Sequence, residues 1–127
     1  MAKEIVIEVN DIEARAELYD NEMAENIWEE LPLSGQVRTW GEEIYFPITI
    51  EEGEGETKAE VEIGELGYWN QGNAFCVFFG PTPSSTGEKP RPASPVTVFG
   101  RLVDDPNEFK QISVNDDIKV RKNQENS

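Results

Sequence analysis

Apolar residues recur along most of this chain with a period of two. From Lys3 to Val9, Ile5, Ile7 and Val9 share one face while Glu4 and Glu8 take the other. That alternation marks a strand with one side in a core. Glu13 to Tyr19 repeats it with Ala14, Ala16 and Leu18. Asn10-Asp11 lies between the two, and short polar side chains of this kind favour turns, so the pair predicts a hairpin. Gln36 to Ile50 predicts more strand, with Ile44, Phe46, Ile48 and Ile50 on one face and a bend at Trp40-Gly41. Pro47 cannot donate to a ladder, which puts it at an edge or an irregularity. Ala59 to Ile63, Val96 to Val103, Ile112 to Val114 and Ile118 to Val120 are further predicted strands. Ala74-Phe75-Cys76-Val77-Phe78-Phe79 is apolar throughout, so burial on both faces is expected.

One segment changes to helical spacing. Met23, Ile27 and Leu31 fall at i, i+4 and i+8, with Ala24 and Trp28 beside them and Glu22, Glu25, Glu29 and Glu30 opposite. Asp20 or Asn21 can cap this helix, and Pro32 stops it. Asp105-Pro106-Asn107-Glu108 supplies a cap, a proline at the first helical position and an acid two residues on. That predicts a short helical turn with Phe109 inward. About eight short strands with no β-α-β alternation exclude a doubly wound parallel sheet and favour a closed barrel. Residues 80–95 carry Pro81, Pro83, Pro90, Pro92 and Pro95. A long loop of this sort in a compact domain is usually functional or mobile.

The 127 residues suit one domain, expected over 1–120, with a polar tail at 121–127 expected to fray. Twenty-six acids against eleven bases leave a formal charge of −15. Such a surface repels phosphate backbones and anionic membranes. It favours solubility and steers cationic ligands or basic peptides inward. The first residues read as a strand rather than a signal peptide, and no apolar run approaches the ~20 residues of a membrane span. The expected location is the cytoplasm.

Several chemistries drop out. With no histidine there is no Ser-His-Asp triad and no histidine-bound zinc. No Gly-rich loop ends in Gly-Lys-Ser/Thr, so a P-loop is absent. The single cysteine, Cys76, cannot form an internal disulfide and sits in an apolar run, where an inert thiol is expected. Glu42 and Glu43 are adjacent on a strand, so they point to opposite faces and cannot converge on one substrate; both read as solvated. The seven glutamates between Glu51 and Glu65 lack the calcium-loop pattern. No metal site and no cofactor are expected.

The order of elements resembles that of cyclophilins. Ala16-Glu17-Leu18-Tyr19 followed by Asn21-Glu22-Met23-Ala24-Glu25-Asn26-Ile27 is similar to their second strand and first helix. Gly72 to Phe79 resembles their Gly-Ser-Gln-Phe-Phe-Ile strand, and Val96 to Val103 their Val-Val-Phe-Gly-Lys-Val strand. Trp40-Gly41-Glu42-Glu43-Ile44-Tyr45-Phe46, Gly67-Tyr68-Trp69 and Phe78-Phe79-Gly80-Pro81-Thr82-Pro83 look like the small prokaryotic cyclophilin-like family of unassigned function. The likeness runs over roughly residues 4–120. It implies a closed eight-stranded antiparallel barrel with one α-helix and one short helical turn.

In true cyclophilins the reaction is proline cis/trans isomerisation, with an arginine beside a phenylalanine, tryptophan and histidine pocket. Phe79 matches the pocket phenylalanine. The Phe-His-Arg segment aligns with Ile44-Tyr45-Phe46, which has no arginine, and the tryptophan and histidine positions fall near Pro92 to Val96, where neither occurs. Arg38 is the one weak candidate for a replacement; the alternative is that it pairs with a surface acid. The expected ligand-binding set is Tyr45, Phe46, Trp69, Gln71 and Phe79, forming an aromatic groove for a peptide or small ligand. Three readings stand at this level: a binding module without efficient isomerase activity, a divergent prolyl isomerase, and a non-catalytic interaction subunit or homo-oligomer.

Overall fold

The computed structural model describes residues 3–123. Its strands are β1 (Glu4–Val9), β2 (Ile12–Leu18), β3 (Leu33–Gln36), β4 (Arg38–Thr39), β5 (Glu43–Pro47), β6 (Thr57–Lys58), β7 (Glu65–Trp69), β8 (Ala74–Phe78), β9 (Val96–Leu102) and β10 (Asp117–Lys122). They make a single sheet in the order β3-β10-β1-β2-β9-β7-β8-β5-β4, with β6 pairing β9. Every pairing is antiparallel. β3 and β4 are two halves of one bent segment joined at Val37. One half pairs β10 and the other pairs β5, which brings the ends of the sheet together as a nearly closed barrel. With β6 outside the circuit, the wall has the eight positions the resemblance implies.

Alternation sorts the side chains as the sequence requires. Ile5, Ile7, Ile44, Phe46, Leu66, Phe75, Val77 and Phe99 fill the interior. Phe75 touches both Phe46 and Phe99, at centroid distances of 5.3 and 5.0 Å. The helix α1 (Glu22–Glu30) is capped by Asn21, whose side chain accepts from the Ala24 amide at 2.8 Å. It buries Met23, Ala24 and Ile27 in that core, and the two large side chains contribute roughly 2 kcal/mol each. The 3-10 helix Pro106–Gln111 is capped by Asp105 and sets Phe109 against Phe79 at 6.0 Å.

Two predicted strands are turns instead. At Ala59 to Ile63, the Glu65 amide donates to the Glu62 carbonyl at 3.1 Å and the Glu65 carboxylate accepts from the Glu62 amide at 2.8 Å. This reciprocal closure, with Gly64 at φ +98, overrides the alternation and leaves Ile63 exposed. At Ile112 to Val114, the Asp116 carboxylate accepts from the Ser113 amide at 2.7 Å and from Asn10 at 2.9 Å. Asn115 there takes φ +75. Arg121 and Lys122, expected in the tail, are the last residues of β10; residues 124–127 of that expected tail lie outside the described residues.

β8 is buried on both faces, and the second face is the important one. On the outside of the barrel, Val61, Ala74, Cys76, Phe78, Val96 and Val98 form a separate apolar cluster, with Tyr19, Tyr45 and Trp69 packed on it. The loop at 80–95 lies over this cluster. No helix among the described residues is long and apolar enough to cross a membrane.

Candidate binding site

A cavity of ≈ 160 Å³ opens on this outer cluster. The β4–β5 turn supplies Trp40, β5 supplies Tyr45 and Glu43, and β7 supplies Trp69. Val96 of β9 and Pro92 with Ala93 of the loop complete the lining. Glu43 and Tyr45 share the outer face of β5 because they are two residues apart. Cys76 pairs directly with Tyr45 in the ladder, which puts its thiol beneath the cavity.

The turn depends on Gly41, which takes φ +62; a Cβ there would lie 2.7 Å from Pro83 and 2.8 Å from the Thr82 backbone. The proline-rich loop can therefore seat directly on the turn. Its own side chains hold it: Ser85 donates to the Lys89 carbonyl at 2.8 Å, and the Thr82 amide donates to Ser85 at 2.9 Å. Trp69 is fixed on three sides. Its indole N–H donates to Ser94 of the loop at 2.6 Å, its ring lies over Gly72, and Tyr45 meets it edge-on.

Two buried glutamates lie on the barrel's outer face, in opposite circumstances. Glu65 is 4% exposed and fully partnered. Tyr19 donates to it at 2.7 Å, Lys58 at 3.1 Å and the Glu62 amide at 2.8 Å. Glu43 is 6% exposed and joins none of the ion pairs among the described residues. Burial pushes its carboxyl up to about 7, and a hydrogen bond from the Cys76 thiol offsets part of that rise. Burial and the neighbouring Glu43 hold Cys76 itself well above the ordinary thiol range, so it is a neutral thiol rather than a nucleophile.

The expected ligand-binding residues separate. Tyr45 and Trp69 line the cavity. Phe46 and Phe79 point into the barrel core, because each occupies the opposite alternation phase from the cavity wall. Gln71 is exposed in the turn after β7 and is not part of the lining. Arg38 is exposed and makes none of the ion pairs among the described residues. It lines a second depression of ≈ 290 Å³ on the other side of Tyr45 and Trp69, with Pro47 and Gly72. The lining also holds Trp40 and Glu43, which the expected ligand-binding set lacks. The reading of Glu42 and Glu43 as a solvated pair holds their side chains apart correctly: Glu42 approaches Lys110 at 3.7 Å while Glu43 enters the cavity. Glu43 is not solvated, because the loop covers it. Its alternation phase with Tyr45 was the available signal.

The family model for cyclophilin-like proteins matches residues 3–121. This chain belongs to the cyclophilin-like family. A hypothetical protein from Archaeoglobus fulgidus, solved in solution, is similar at 33% identity, with a TM-score of 0.75 over 96% of this chain and 95% of that one. No curated protein matches the sequence. Within this cyclophilin-like chain the arginine-free cavity and the Arg38 depression are neighbours divided by the Tyr45–Trp69 pair.

Proposed function

We propose that this cyclophilin-like protein is a binding module whose outer cavity takes one ring-sized or similarly compact group of a peptide or small molecule, without efficient prolyl isomerase activity. The observation that carries this reading is the lining: three aromatic side chains and one buried carboxyl enclose ≈ 160 Å³. An apolar cavity of about 150 Å³ accepts a molecule the size of benzene, and sites of this composition are the usual ligand pockets. Isomerisation needs a donor that loosens the amide nitrogen's resonance, against a barrier of ~18–20 kcal/mol for an ordinary peptide bond. The cavity lining includes no arginine or lysine.

A panel of phenol, indole, N-acetylproline amide and short proline peptides tests the reading. Binding should shift the indole resonances of Trp40 and Trp69, and a protease-coupled assay at micromolar protein should run at the uncatalysed rate. A panel that leaves every cavity resonance in place would remove the module.

A second reading is favoured by one observation, the placement of Arg38 beside Tyr45 with no ion-pair partner among the described residues. A divergent isomerase would use it as the donor. Acceleration of proline rotation, lost in Arg38→Ala, would establish that reading over the first.

A further inference from the structure

We propose that the outer cavity is a receptor for an organic cation, an alkylated ammonium head group held by the Trp40, Tyr45 and Trp69 rings with the Glu43 carboxylate as its counter-ion. The inference rests on the binding-module reading and specifies its ligand.

Three independent features converge on this chemistry. First, the aromatic rings come from three separate segments and surround one space. The negative faces of such rings attract a cation within ~6 Å, and cages of this kind recognise quaternary ammonium groups. Second, Glu43 is 94% buried, as its 6% exposure implies, and has no cationic partner among the described residues. A buried carboxylate is normally paired, and the protein does so for Glu65 with Lys58. For Glu43 the ligand supplies the missing charge. Third, the formal charge of −15 draws cations toward the surface and repels anions. An apolar neutral ligand would use the rings but leave the carboxyl without purpose, and an anionic one would meet it head-on.

A weakly hydrated, alkylated ammonium suits the site better than a bare metal ion. Among the described residues the lining offers one carboxyl and no second acid, far short of the six to eight oxygens that calcium takes. No cluster of acids, cysteines or histidines suited to a metal exists among the described residues. The alkyl groups also replace water against Pro92 and Val96.

Ionisation links binding to pH. The carboxyl titrates at about 7 when the cavity is empty, and the charged form is the one that binds. The titratable group that meets it is the Cys76 thiol, which stays neutral. Binding of a cation at pH 6 should therefore release a proton, and affinity should fall about tenfold between pH 8 and pH 6.

The test compares choline with its neutral isostere 3,3-dimethylbutanol on the full chain, by indole resonance shifts and calorimetry. Choline should bind at least tenfold tighter than the isostere at pH 8. Glu43→Gln, which keeps the shape, should cut the ratio of choline to isostere affinity several-fold, the rings alone retaining the remainder. A short peptide carrying trimethyl-lysine forms a further arm: tighter binding than choline assigns the source to a protein tail, and equal binding to a free small cation. Equal affinity for choline and the isostere overturns the cation inference and leaves the binding module standing. Absence of choline binding overturns it as well, and the ring-probe panel then decides the module on its own. Because the isostere comparison uses the unaltered protein, misfolding of the variant cannot rescue the idea.

Discussion

The ring of Tyr45 meets the ring of Trp69 edge-on, with centroids 6.2 Å apart and planes at 76°. They stand on β5 and β7, on either side of β8, and together separate the Glu43 cavity from the Arg38 depression. Edge-to-face pairs contribute about 0.5–1.5 kcal/mol beyond the area they bury. Trp69→Ala should destabilise by about 2 kcal/mol, less than a full core truncation because the ring is half-buried. A double-mutant cycle with Tyr45→Ala in urea should return a coupling of about 1 kcal/mol. Strict additivity would mean that the two rings are neighbours without interaction.

Glu43 makes the pH dependence of stability run against the usual carboxylate trend. Its folded value of about 7 lies above its ordinary value of 4.5. Between those limits the folded protein holds a proton that the unfolded chain has already released. Stability from this group is therefore complete below about pH 4.5 and falls as pH rises to about 7. The largest loss is about 3 kcal/mol by linkage. The rest of a chain this acidic also loses stability with rising pH through self-repulsion, so the readout is a difference. Glu43→Gln minus wild type should be near zero at pH 4.5 and grow to a stabilisation of up to about 3 kcal/mol at pH 8. Parallel curves across that range would show that the carboxyl is ordinary.

Much of this architecture was legible in alternation. Ile5, Ile7 and Val9 predict β1 directly, and the apolar stretch Ala74 to Phe79 announces a strand with two buried faces. Asn21, Asp105 and Pro106 mark the helix starts because capping is a local interaction. The misplaced strands at Ala59 and Ile112 fail for a local reason as well. In each, a carboxylate closes a turn onto a nearby amide, and that bond outweighs the apolar spacing. Two of the cavity's three aromatic side chains are readable in the same way: Tyr45 and Trp69 face out of the barrel. Phe79 enters the expected set through the resemblance and Phe46 as an aromatic beside Tyr45, but the alternation around Tyr45 and Phe78 sends both inward. Glu43 was hidden because its burial is made by a loop more than 35 residues away in the chain. No local pattern records that the loop folds back over β5.

Lys58 and Glu65 offer a direct measure of what an internal counter-ion is worth here. Their side chains are 26% and 5% exposed, at 3.1 Å. Removing the lysine leaves Glu65 buried with only Tyr19 and an amide for partners. Loss of one member of a buried pair costs about 3–5 kcal/mol, and partial exposure of Lys58 lowers this to about 2 kcal/mol for Lys58→Met. Lys89 and Glu62 are close at 2.9 Å but exposed at 53% and 61%, and water screens such pairs. Lys89→Met should leave the urea midpoint where it was. If both substitutions shift the midpoint alike, burial is not what distinguishes the pairs.

Gly67 is a position from which the cavity wall can be displaced without substituting any lining residue. It pairs with Cys76 on one side and Val98 on the other, at the point where β7 shifts register against β9. A Cβ there would fall 2.7 Å from Val96 Cγ2 and 3.3 Å from the Phe78 ring. Both neighbours are buried, so neither can swing into solvent, and overpacking of this kind costs about 1–3 kcal/mol. Val96 is itself part of the cavity wall, so displacement by the new methyl group should narrow the space. Gly67→Ala should therefore weaken binding of indole or choline by more than its loss of stability alone explains, measured on protein that remains folded. Gly87→Ala is the matching control: nothing lies within 4 Å of its added methyl group, and both stability and binding should stay at the wild-type level. Equal binding by the two variants would mean that the register shift at Gly67 serves the barrel and not the cavity.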